Sequence, residues 1–315
     1  MDLKNNNTKV TEFVLLGFSQ NPQTQYILFS IFLTIYITTW LGNLTIIITV
    51  ISTPHLHTPM YFLLGNLAVI DISDSTVTAL KMLWDLFSHT NSISYNWCIT
   101  QIFLFHLTGG AVVFFLVVMA VDRYIAIYKP LQYLLIMNQG VCIGLVAGAW
   151  LGGFAHSIVQ VALILQLPFC GPNVLDNFYC DVPQLIKLAC TDTYITELLM
   201  VSNSGLLLTL IFCILLVSYS VILMKIRKHV TEAKHKALST CAAQIIVMSM
   251  NFIPGMFIYD RPFQVFPVDK ITSVLYTLIT PMLNPVIFTL RNTEMRNTIR
   301  KRIGKCISSR ITGSK

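Results

Sequence analysis

Residues 99–121 read ITQIFLFHLTGGAVVFFLVVMAV, and these 23 residues contain no Asp, Glu, Lys or Arg. As a helix, the run would be about 35 Å long, which is enough to cross the ~30 Å hydrocarbon core of a bilayer. The next two residues, Asp122 and Arg123, are an acid and a base. The run therefore predicts a membrane-spanning helix whose end at Asp122 lies at a membrane face.

The composition of the whole chain agrees with a membrane protein. The 315 residues are 55% hydrophobic and 11% charged, with a mean hydropathy of +0.69, whereas an ordinary soluble domain carries about 25% charged residues. We therefore exclude a soluble enzyme. Seven apolar stretches predict an all-α membrane protein, a seven-transmembrane helix bundle. The predicted spans are about 26–51, 60–84, 99–122, 140–166, 196–224, 237–259 and 270–290.

The basic residues indicate which way the chain crosses the membrane. Segments 52–59, 123–139, 225–236 and 291–315 share one side and hold 15 of the 21 Lys and Arg residues. The positive-inside rule places this side in the cytoplasm. We therefore expect a multi-pass plasma-membrane protein with residues 1–25 extracellular, a transmembrane domain at 26–290, and a cytoplasmic tail at 291–315 that begins with a short amphipathic helix.

The formal charge of +7 follows from the same bias. We interpret it as a surface that faces membrane lipids and not as a nucleic-acid site. On the predicted outer side, Asn6 begins an Asn-Asn-Thr glycosylation acceptor. No secretory signal peptide is visible in residues 1–20, so we expect the first span to act as its own insertion signal.

Four cysteines fall on the predicted outer side: Cys98, Cys170, Cys180 and Cys190. Thiols in an oxidising compartment should pair, but four cysteines allow three connectivities. Two disulfides would fix the long outer segment 167–195, here called the lid, over the bundle. No His or Cys spacing in the lid supports a metal site, and we predict neither a metal nor a cofactor.

Polar residues inside the spans are candidates for function, because ionisable groups are costly at membrane depth. Asp71 and Asp74 are spaced i, i+3 and share a helix face. Asn43 in the first span and Asn284 in the seventh could hydrogen-bond such an acid. We predict an inner polar cluster of Asn43, Asp71 and Asn284.

The outer half of the third span suggests a ligand pocket. Its candidate residues share one helix face, where two glycines remove side-chain volume beside a histidine. Close helix packing is the alternative explanation for such glycines. Residues of the fifth, sixth and seventh spans fall at a similar depth and mix apolar walls with a few polar groups, as small-molecule sites do. The predicted pocket consists of Phe105, His106, Gly109, Gly110, Val113, Asn203, Ser204, Leu207, Phe252, Gly255, Met256, Tyr259 and Thr277.

Two functional classes fit these features. The first is a receptor, with a fixed lid, an outer pocket and a basic cytoplasmic face. The second is a transporter or channel that uses Asp71 and Asp74 as an ion or proton relay. Transporters commonly contain internal repeats, and we see none. An intramembrane enzyme is disfavoured, because no span carries His-Glu-x-x-His or Gly-x-Ser-x-Gly.

The segment MAVDRYIAIYKPLQY at 119–133 resembles the signature of mammalian olfactory receptors, MAYDRYVAICxPLxY, within the rhodopsin-like G-protein-coupled receptors. Four further segments resemble that family in order and spacing, so the resemblance extends over nearly the whole chain. They are LHTPMYFLLGNLAVID at 56–71, SY at 218–219, KALSTCAAQ at 236–244 and PMLNPVIFTLRN at 281–292.

The resemblance implies an odorant receptor that binds small volatile molecules and activates a stimulatory, olfactory-type heterotrimeric G protein, which raises cyclic AMP. It implies disulfides between Cys98 and Cys180 and between Cys170 and Cys190. It also implies that Arg123 is held near Asp122 at rest and is released as the sixth span moves outward. The residues matching the family's switch positions are Asp122, Arg123, Tyr124, Tyr219, Gln244, Asn284, Pro285 and Phe288.

This sequence departs from the family pattern around the switch. Val121 replaces the usual Tyr and Tyr128 the usual Cys, Ala243-Gln244 replaces Ser-His, and Phe288 replaces Tyr. The last two changes remove polar groups from the inner switch.

In the outer half, none of the predicted pocket residues is formally charged, and position 105 holds Phe instead of an acid. We therefore expect a mostly apolar pocket that does not favour amines.

Overall fold

The computed structural model describes residues 10–227, 232–261 and 266–312. Within these ranges, seven helical spans are long and apolar enough to cross a membrane, which confirms the predicted seven-transmembrane bundle. The predicted glycosylation site at Asn6 lies outside the described residues. The spans, numbered one to seven, are Pro22–Ile51, Pro59–Ser88, Tyr95–Tyr128, Gln139–Leu165, Tyr194–Lys225, Thr240–Tyr259 and Val268–Leu290.

The helices extend past several of the predicted limits. The third span begins at Tyr95 and ends at Tyr128, beyond the predicted 99–122 at both ends. The second span ends at Ser88, four residues after the predicted limit of 84. Helical hydrogen bonding does not stop where hydrocarbon stops, so hydropathy locates the membrane-buried part and not the helix ends.

Two spans contain a wide turn. The fifth is α-helical over Tyr194–Met200 and Leu207–Arg227, with a π-helical turn at Val201–Leu206 between them. The seventh has the same order, with helices Val268–Val274 and Thr280–Arg291 on either side of a π-helical turn at Leu275–Ile279. The helix that includes the sixth span runs over Glu232–Tyr259 and contains Pro254. Such turns and prolines interrupt regular hydrogen bonding and are frequent at functional sites.

The outer end carries a small sheet that hydropathy did not predict. Strand β1 (Glu12–Leu15) pairs antiparallel with β2 (Ser92–Ser94) and parallel with β3 (Val174–Leu175). The sheet therefore ties the N-terminal segment to the top of the third span and to the lid. Within the lid, a short helix spans Val182–Ile186.

The cysteine pairs that the resemblance implied are both present. Cys98 is bonded to Cys180, with Cα atoms 5.5 Å apart, and Cys170 to Cys190, with Cα atoms 5.9 Å apart. The first disulfide joins the third span to the lid, and the second closes the lid on itself. Together with the sheet, they fix the lid over the helix bundle.

The opposite end of the bundle carries short turns and one further helix. The connections contain the turns Pro54–Leu56 and Pro130–Gln132 and the single-turn helix Tyr133–Ile136. After the seventh span comes the helix Thr293–Thr312, as predicted. It is held to the second span, because Tyr61 Oη donates to Asn292 Oδ1 at 3.1 Å and to Glu294 Oε2 at 2.9 Å.

Apolar side chains also cover the outside of the bundle. Leu41, Leu151 and Ile214 are each more than 60% exposed although they lie in the middle of spans. Aromatic and aliphatic side chains, including Phe115, Phe252 and Ile70, fill the interior. A bundle that is apolar both inside and outside is stable in lipid and not in water.

Candidate ligand cavity and inner switch

A cavity lies between the third, fourth, fifth, sixth and seventh spans, with Asp74 of the second span at its wall. Its volume is about 80 Å³. The wall is mainly apolar. It is formed by Asp74, Phe105, His106, Gly109, Gly110, Val112, Val113, Phe114, His156, Ser204, Leu207, Leu208, Asn251, Gly255, Tyr259 and Tyr276.

Most of the predicted pocket residues line this cavity. All five residues proposed from the third span are at the wall, and so are four from the fifth and sixth spans. The nine are Phe105, His106, Gly109, Gly110, Val113, Ser204, Leu207, Gly255 and Tyr259. The residues proposed from the third span and most of those from the fifth and sixth spans therefore lie around one cavity.

Four predicted residues do not line the cavity. Asn203 faces the fourth span, with Nδ2 donating to His156 Nδ1 at 3.2 Å. Phe252 is buried and stacks on Phe212, with ring centroids 5.5 Å apart. Met256 packs with the main hydrophobic core, and the buried Thr277 donates to the Ser273 carbonyl at 2.8 Å.

The positions of these four residues have one physical cause. Each of the four is next in sequence to a residue that does line the cavity, such as Ser204 beside Asn203 or Tyr276 beside Thr277. One residue turns a side chain by about 100° around an α-helix. Composition indicates depth, but it does not fix the rotation of a helix that is apolar on most of its surface.

Sequence reasoning missed seven wall residues: Asp74, Val112, Phe114, His156, Leu208, Asn251 and Tyr276. The signal for two of them was present in the sequence. Asp74 and His156 are ionisable residues inside apolar spans, which by itself marks a functional candidate. Asp74 also corrects the expectation that the pocket holds no formally charged group.

The two glycines of the third span differ in role. A Cβ atom added to Gly109 would have no neighbour within 4 Å, so Gly109 borders open space. A Cβ atom on Gly110 would lie 2.9 Å from the Cα atom of Gly153 in the fourth span. The pocket interpretation therefore fits Gly109, and the close-packing interpretation fits Gly110.

His106 is the central polar group of the wall. It is 4% exposed, and its Nε2 atom has no hydrogen-bond partner within the part of the chain that the structure describes. The ring lies among Phe105, His156 and Tyr259, with centroid distances of 5.3, 5.3 and 5.9 Å. A buried nitrogen without a partner is costly, and a bound molecule could satisfy it.

Hydrogen bonds join the lid to the spans that form the top of the cavity. Tyr259 Oη in the sixth span donates to Asp181 Oδ1 of the lid at 3.0 Å, and Tyr179 Oη donates to Asp181 Oδ2 at 3.2 Å. Tyr179 also bonds Tyr276 Oη of the seventh span at 3.0 Å. Burial raises the pKa of Asp181 to about 6, although these hydrogen bonds oppose the shift.

At the inner end of the third span, Asp122 and Arg123 form an ion pair. Arg123 Nε donates to Asp122 Oδ2 at 2.8 Å, and Arg123 Nη2 contacts the same oxygen. Tyr133 Oη donates to Asp122 Oδ1 at 2.7 Å. The Asp122 and Arg123 side chains are only 2% and 13% exposed. The pair is therefore shielded from solvent and held by the loop after the third span.

The other switch positions surround this pair. Tyr219 Oη of the fifth span donates to Gln244 Oε1 of the sixth at 3.0 Å. Tyr124 stacks on Tyr128, with centroids 4.4 Å apart, and Lys225 Nζ lies 3.6 Å from the centroid of the Tyr128 ring. The replacements Gln244 and Tyr128 thus make contacts of their own to the fifth span.

Phe288 is buried in the inner core. It borders a narrow cavity of about 20 Å³ beside Met119 and Gln244. Pro285 lies one turn above it in the seventh span, where its ring faces Gly42, whose added Cβ atom would be 3.1 Å away. The inner end of the bundle is therefore closely packed in this structure.

The inner polar cluster is only partly as predicted. Asn284 Nδ2 donates to both carboxylate oxygens of Asp71 at 3.0 Å. Asn43 does not join them, because its Nδ2 donates to the Pro281 and Thr39 carbonyls, each at 3.0 Å. Pro285 lacks an N–H, so the Pro281 carbonyl loses its regular helical donor and accepts from the amide of Asn43.

Most of the chain is similar to known olfactory receptors. The family model described as "Olfactory receptor" matches residues 32–305. Human olfactory receptor 4D1 is 60% identical over 302 residues, which cover 96% of this chain and 97% of the relative. Human olfactory receptor 4N5 is 55% identical (94% and 96% covered), and mouse olfactory receptor 4B13 is 50% identical (94% and 97% covered).

These matches decide between the functional classes left open by the sequence. They favour the receptor hypothesis over the transporter hypothesis, and the family consists of receptors and not of enzymes. The match extends from the first span into the helix after the seventh, so it includes both the cavity and the Asp122–Arg123 pair. The chain belongs to the olfactory receptor family of seven-transmembrane G-protein-coupled receptors.

Proposed function

We propose that this plasma-membrane odorant receptor binds small volatile molecules in the cavity beside His106 and signals through a stimulatory, olfactory-type G protein that raises cyclic AMP. The N-terminus is extracellular in this proposal, and the helix Thr293–Thr312 faces the cytoplasm and its membrane lipids. The positive-inside bias of the loops supports the orientation. Family membership and the basic inner face support the G protein class.

One observation carries the proposal: the third span contributes both to the cavity and to the buried ion pair. His106 and Asp122 lie in one unbroken helix, Tyr95–Tyr128. The two positions are 16 residues apart in sequence, which corresponds to about 24 Å along the helix axis. A rigid element of this kind can carry a change in packing from the cavity to the inner end.

The sixth span is the element that we propose to move. Its outer end is held to the lid through Tyr259 and Asp181, and its inner end to the fifth span through Gln244 and Tyr219. Pro254 lies between these attachments. An activating odorant must bind the outward-swung state more tightly than the resting state, since equal affinity shifts no population.

The location of the site can be tested with the two glycines. Gly109→Val would place a side chain in the cavity without a backbone clash, so odorant potency should fall while surface expression is kept. Gly110→Ala would instead press on the fourth span at Gly153, so surface expression and thermal stability should fall. Unchanged potency of Gly109→Val for every active odorant would contradict the proposed site.

The signalling role can be tested at Arg123. Arg123→Ala should abolish odorant-evoked cyclic AMP at measurable surface expression, because the arginine could no longer take part in G-protein coupling. Direct activation of the cyclase is the control for the downstream pathway.

A second experiment uses cells that lack the stimulatory G protein class, where the wild-type receptor should give no cyclic AMP response. Normal signalling in either experiment would refute the proposal.

A further inference from the structure

The carboxyl group of Asp74 has an unusual position for an acid inside a membrane protein. Asp74 is buried, with 6% of its surface exposed, and it lines the candidate ligand cavity. Its side-chain hydrogen bond is to Thr108, whose Oγ1 donates to Oδ1 at 2.6 Å. Among the residues that line the cavity there is no Lys or Arg. A buried carboxylate without a cation is costly and marks a functional site.

The neighbouring acids of the same span do not share this property. Asp71 accepts hydrogen bonds from Asn284 on both oxygens. Asp85 forms an ion pair with Lys81 one turn away. Asp74 is thus the acid of this span that lies at the cavity and lacks a basic partner among the described residues. The missing positive charge could come from a ligand.

A second group at the wall points to the same chemistry. His106 Nε2 is buried and has no hydrogen-bond partner in residues 10–227, 232–261 and 266–312, and His106 lines the same cavity. A neutral imidazole nitrogen can accept a hydrogen bond. An ammonium group has several N–H donors, so it could donate to Asp74 and to His106 at once. The nearby rings of Phe105, Tyr259 and Tyr276 could also contact a cation through their faces.

We propose that this cavity takes a small aliphatic amine, bound as its ammonium ion with Asp74 as the counter-ion and His106 as a second contact. The inference rests on the proposed odorant function and specifies its ligand class. It reverses the expectation drawn from Phe105, because the acid is supplied by the second span and not by position 105.

The size of the cavity restricts the amine. Its volume of about 80 Å³ lies between the ~10–15 Å³ that one water needs and the ~150 Å³ that admits benzene. Short-chain amines should therefore fit better than long ones. The apolar wall would surround the alkyl group, while the ammonium group lies at Asp74.

The first experiment compares two probes of nearly equal shape on the wild-type receptor. n-Butylamine and n-butanol differ in the charged group, and n-octylamine tests the size limit. We expect n-butylamine to evoke cyclic AMP at a concentration at least tenfold lower than n-butanol, and n-octylamine to be weaker than n-butylamine. Equal potency of amine and alcohol, or preference for the alcohol, would overturn the proposal and leave the odorant function intact.

The second experiment removes the charge. Asp74→Asn should raise the half-maximal concentration of n-butylamine by at least about 30-fold, as expected when one partner of a buried charge pair is lost, and should change that of n-butanol little. Asp85→Asn is the matched control, since it removes an acid of the same span away from the cavity, and amine potency should stay as in wild type. Loss of amine and alcohol responses to the same extent would contradict the role of Asp74.

Binding can also be measured without a G protein, on the purified full-length receptor. n-Butylamine should raise the melting temperature of the wild-type receptor more than n-butanol does. This readout remains usable if Asp74→Asn does not reach the cell surface. Amine binding without any cyclic AMP response would support the ligand class and contradict the proposed signalling. Absence of amine binding, with a cyclic AMP response to other odorants, would refute the ligand class alone.

Discussion

The side-chain amide of Asn43 donates a hydrogen bond of 3.0 Å to the main-chain carbonyl of Pro281. In a regular helix this carbonyl would accept from the N–H of residue 285, but residue 285 is a proline. The first span thus supplies the donor that the seventh span lacks. The amide is buried and its Nδ2 also donates to the Thr39 carbonyl, whereas its Oδ1 has no partner among the residues that the structure describes.

Removal of this donor should destabilise the bundle. We expect Asn43→Ala to cost about 0.5–2 kcal/mol, the range for interhelical hydrogen bonds in membranes, and to lower the melting temperature of purified receptor. Asn66→Ala is the control, because Asn66 donates to the Phe62 carbonyl of its own helix and not to another span among the described residues. Equal losses in the two variants would show that the contact to Pro281 contributes nothing specific.

A hydrogen bond of the same kind joins the sixth and seventh spans. Pro254 leaves the Met250 carbonyl without its helical partner, and Thr280 Oγ1 of the seventh span lies 3.3 Å from that carbonyl. The same hydroxyl also bonds the Leu275 carbonyl at 2.9 Å. We therefore expect Thr280→Val to destabilise the receptor by about 1 kcal/mol.

A double-mutant cycle tests whether Pro254 is the reason. Pro254→Ala restores an N–H to the sixth span, so the Met250 carbonyl no longer depends on Thr280. Thr280→Val should then cost about 0.5–1 kcal/mol less in the Pro254→Ala background than in wild type. Thermal melting of the four receptors measures this difference. Additive losses would mean that Thr280 acts independently of the proline.

The sequence predicted the architecture because the membrane simplifies the problem. Each span had to be a helix, since lipid offers the backbone no hydrogen-bond partner, and runs such as 99–121 show where those helices are. The strand Glu12–Leu15 could not be found in this way. It pairs with residues about 80 and 160 positions away. The more distant partner, Val174–Leu175, lies in the lid, whose position depends on the two disulfides.

The sequence predicted the candidate site less completely, for two physical reasons. A span that is apolar all round gives no signal for its rotation, which explains why Thr277 was chosen instead of its neighbour Tyr276. In addition, polar partners can be main-chain atoms. Asn43 was expected to bind the carboxylate of Asp71, but the carbonyl freed by Pro285 takes the amide instead.

Tyr133 should hold the inner switch closed. Its hydroxyl donates to Asp122 at 2.7 Å, and burial raises the pKa of Tyr133 above its usual range, so the phenol stays protonated and can donate. Tyr133→Phe removes this bond and leaves Asp122 with Arg123 alone. We expect basal cyclic AMP to rise about two- to tenfold, which corresponds to the 0.5–1.5 kcal/mol of a typical hydrogen bond.

The measurement is the cyclic AMP level without odorant, normalised to surface expression. Tyr26→Phe is the control, since it removes a tyrosine hydroxyl at the opposite end of the bundle, where Tyr26 is 55% exposed. Its basal signal should stay as in wild type. A basal signal of Tyr133→Phe at or below the wild-type level would argue against the contact as a restraint on activation.

The stability of the outer end should depend on pH through Asp181. The carboxyl has a pKa of about 6 in the folded receptor because it is buried, whereas an unfolded Asp has a pKa of about 3.9. Between these two values the folded state binds more protons than the unfolded state. Stability therefore falls as the pH rises from about 4 to about 6, by on the order of 3 kcal/mol, and this contribution is constant above that window.

Asp181→Asn provides the test, because the amide cannot ionise and is close in shape to the protonated acid. Its advantage in melting temperature over wild type should be largest near pH 7.5 and should shrink or vanish near pH 4.5. Asp192→Asn, at an exposed acid of the same lid, is the control and should follow wild type at both pH values. An Asp181→Asn variant whose melting temperature is below wild type near pH 7.5 would show that the ionised carboxylate stabilises the lid, contrary to this prediction.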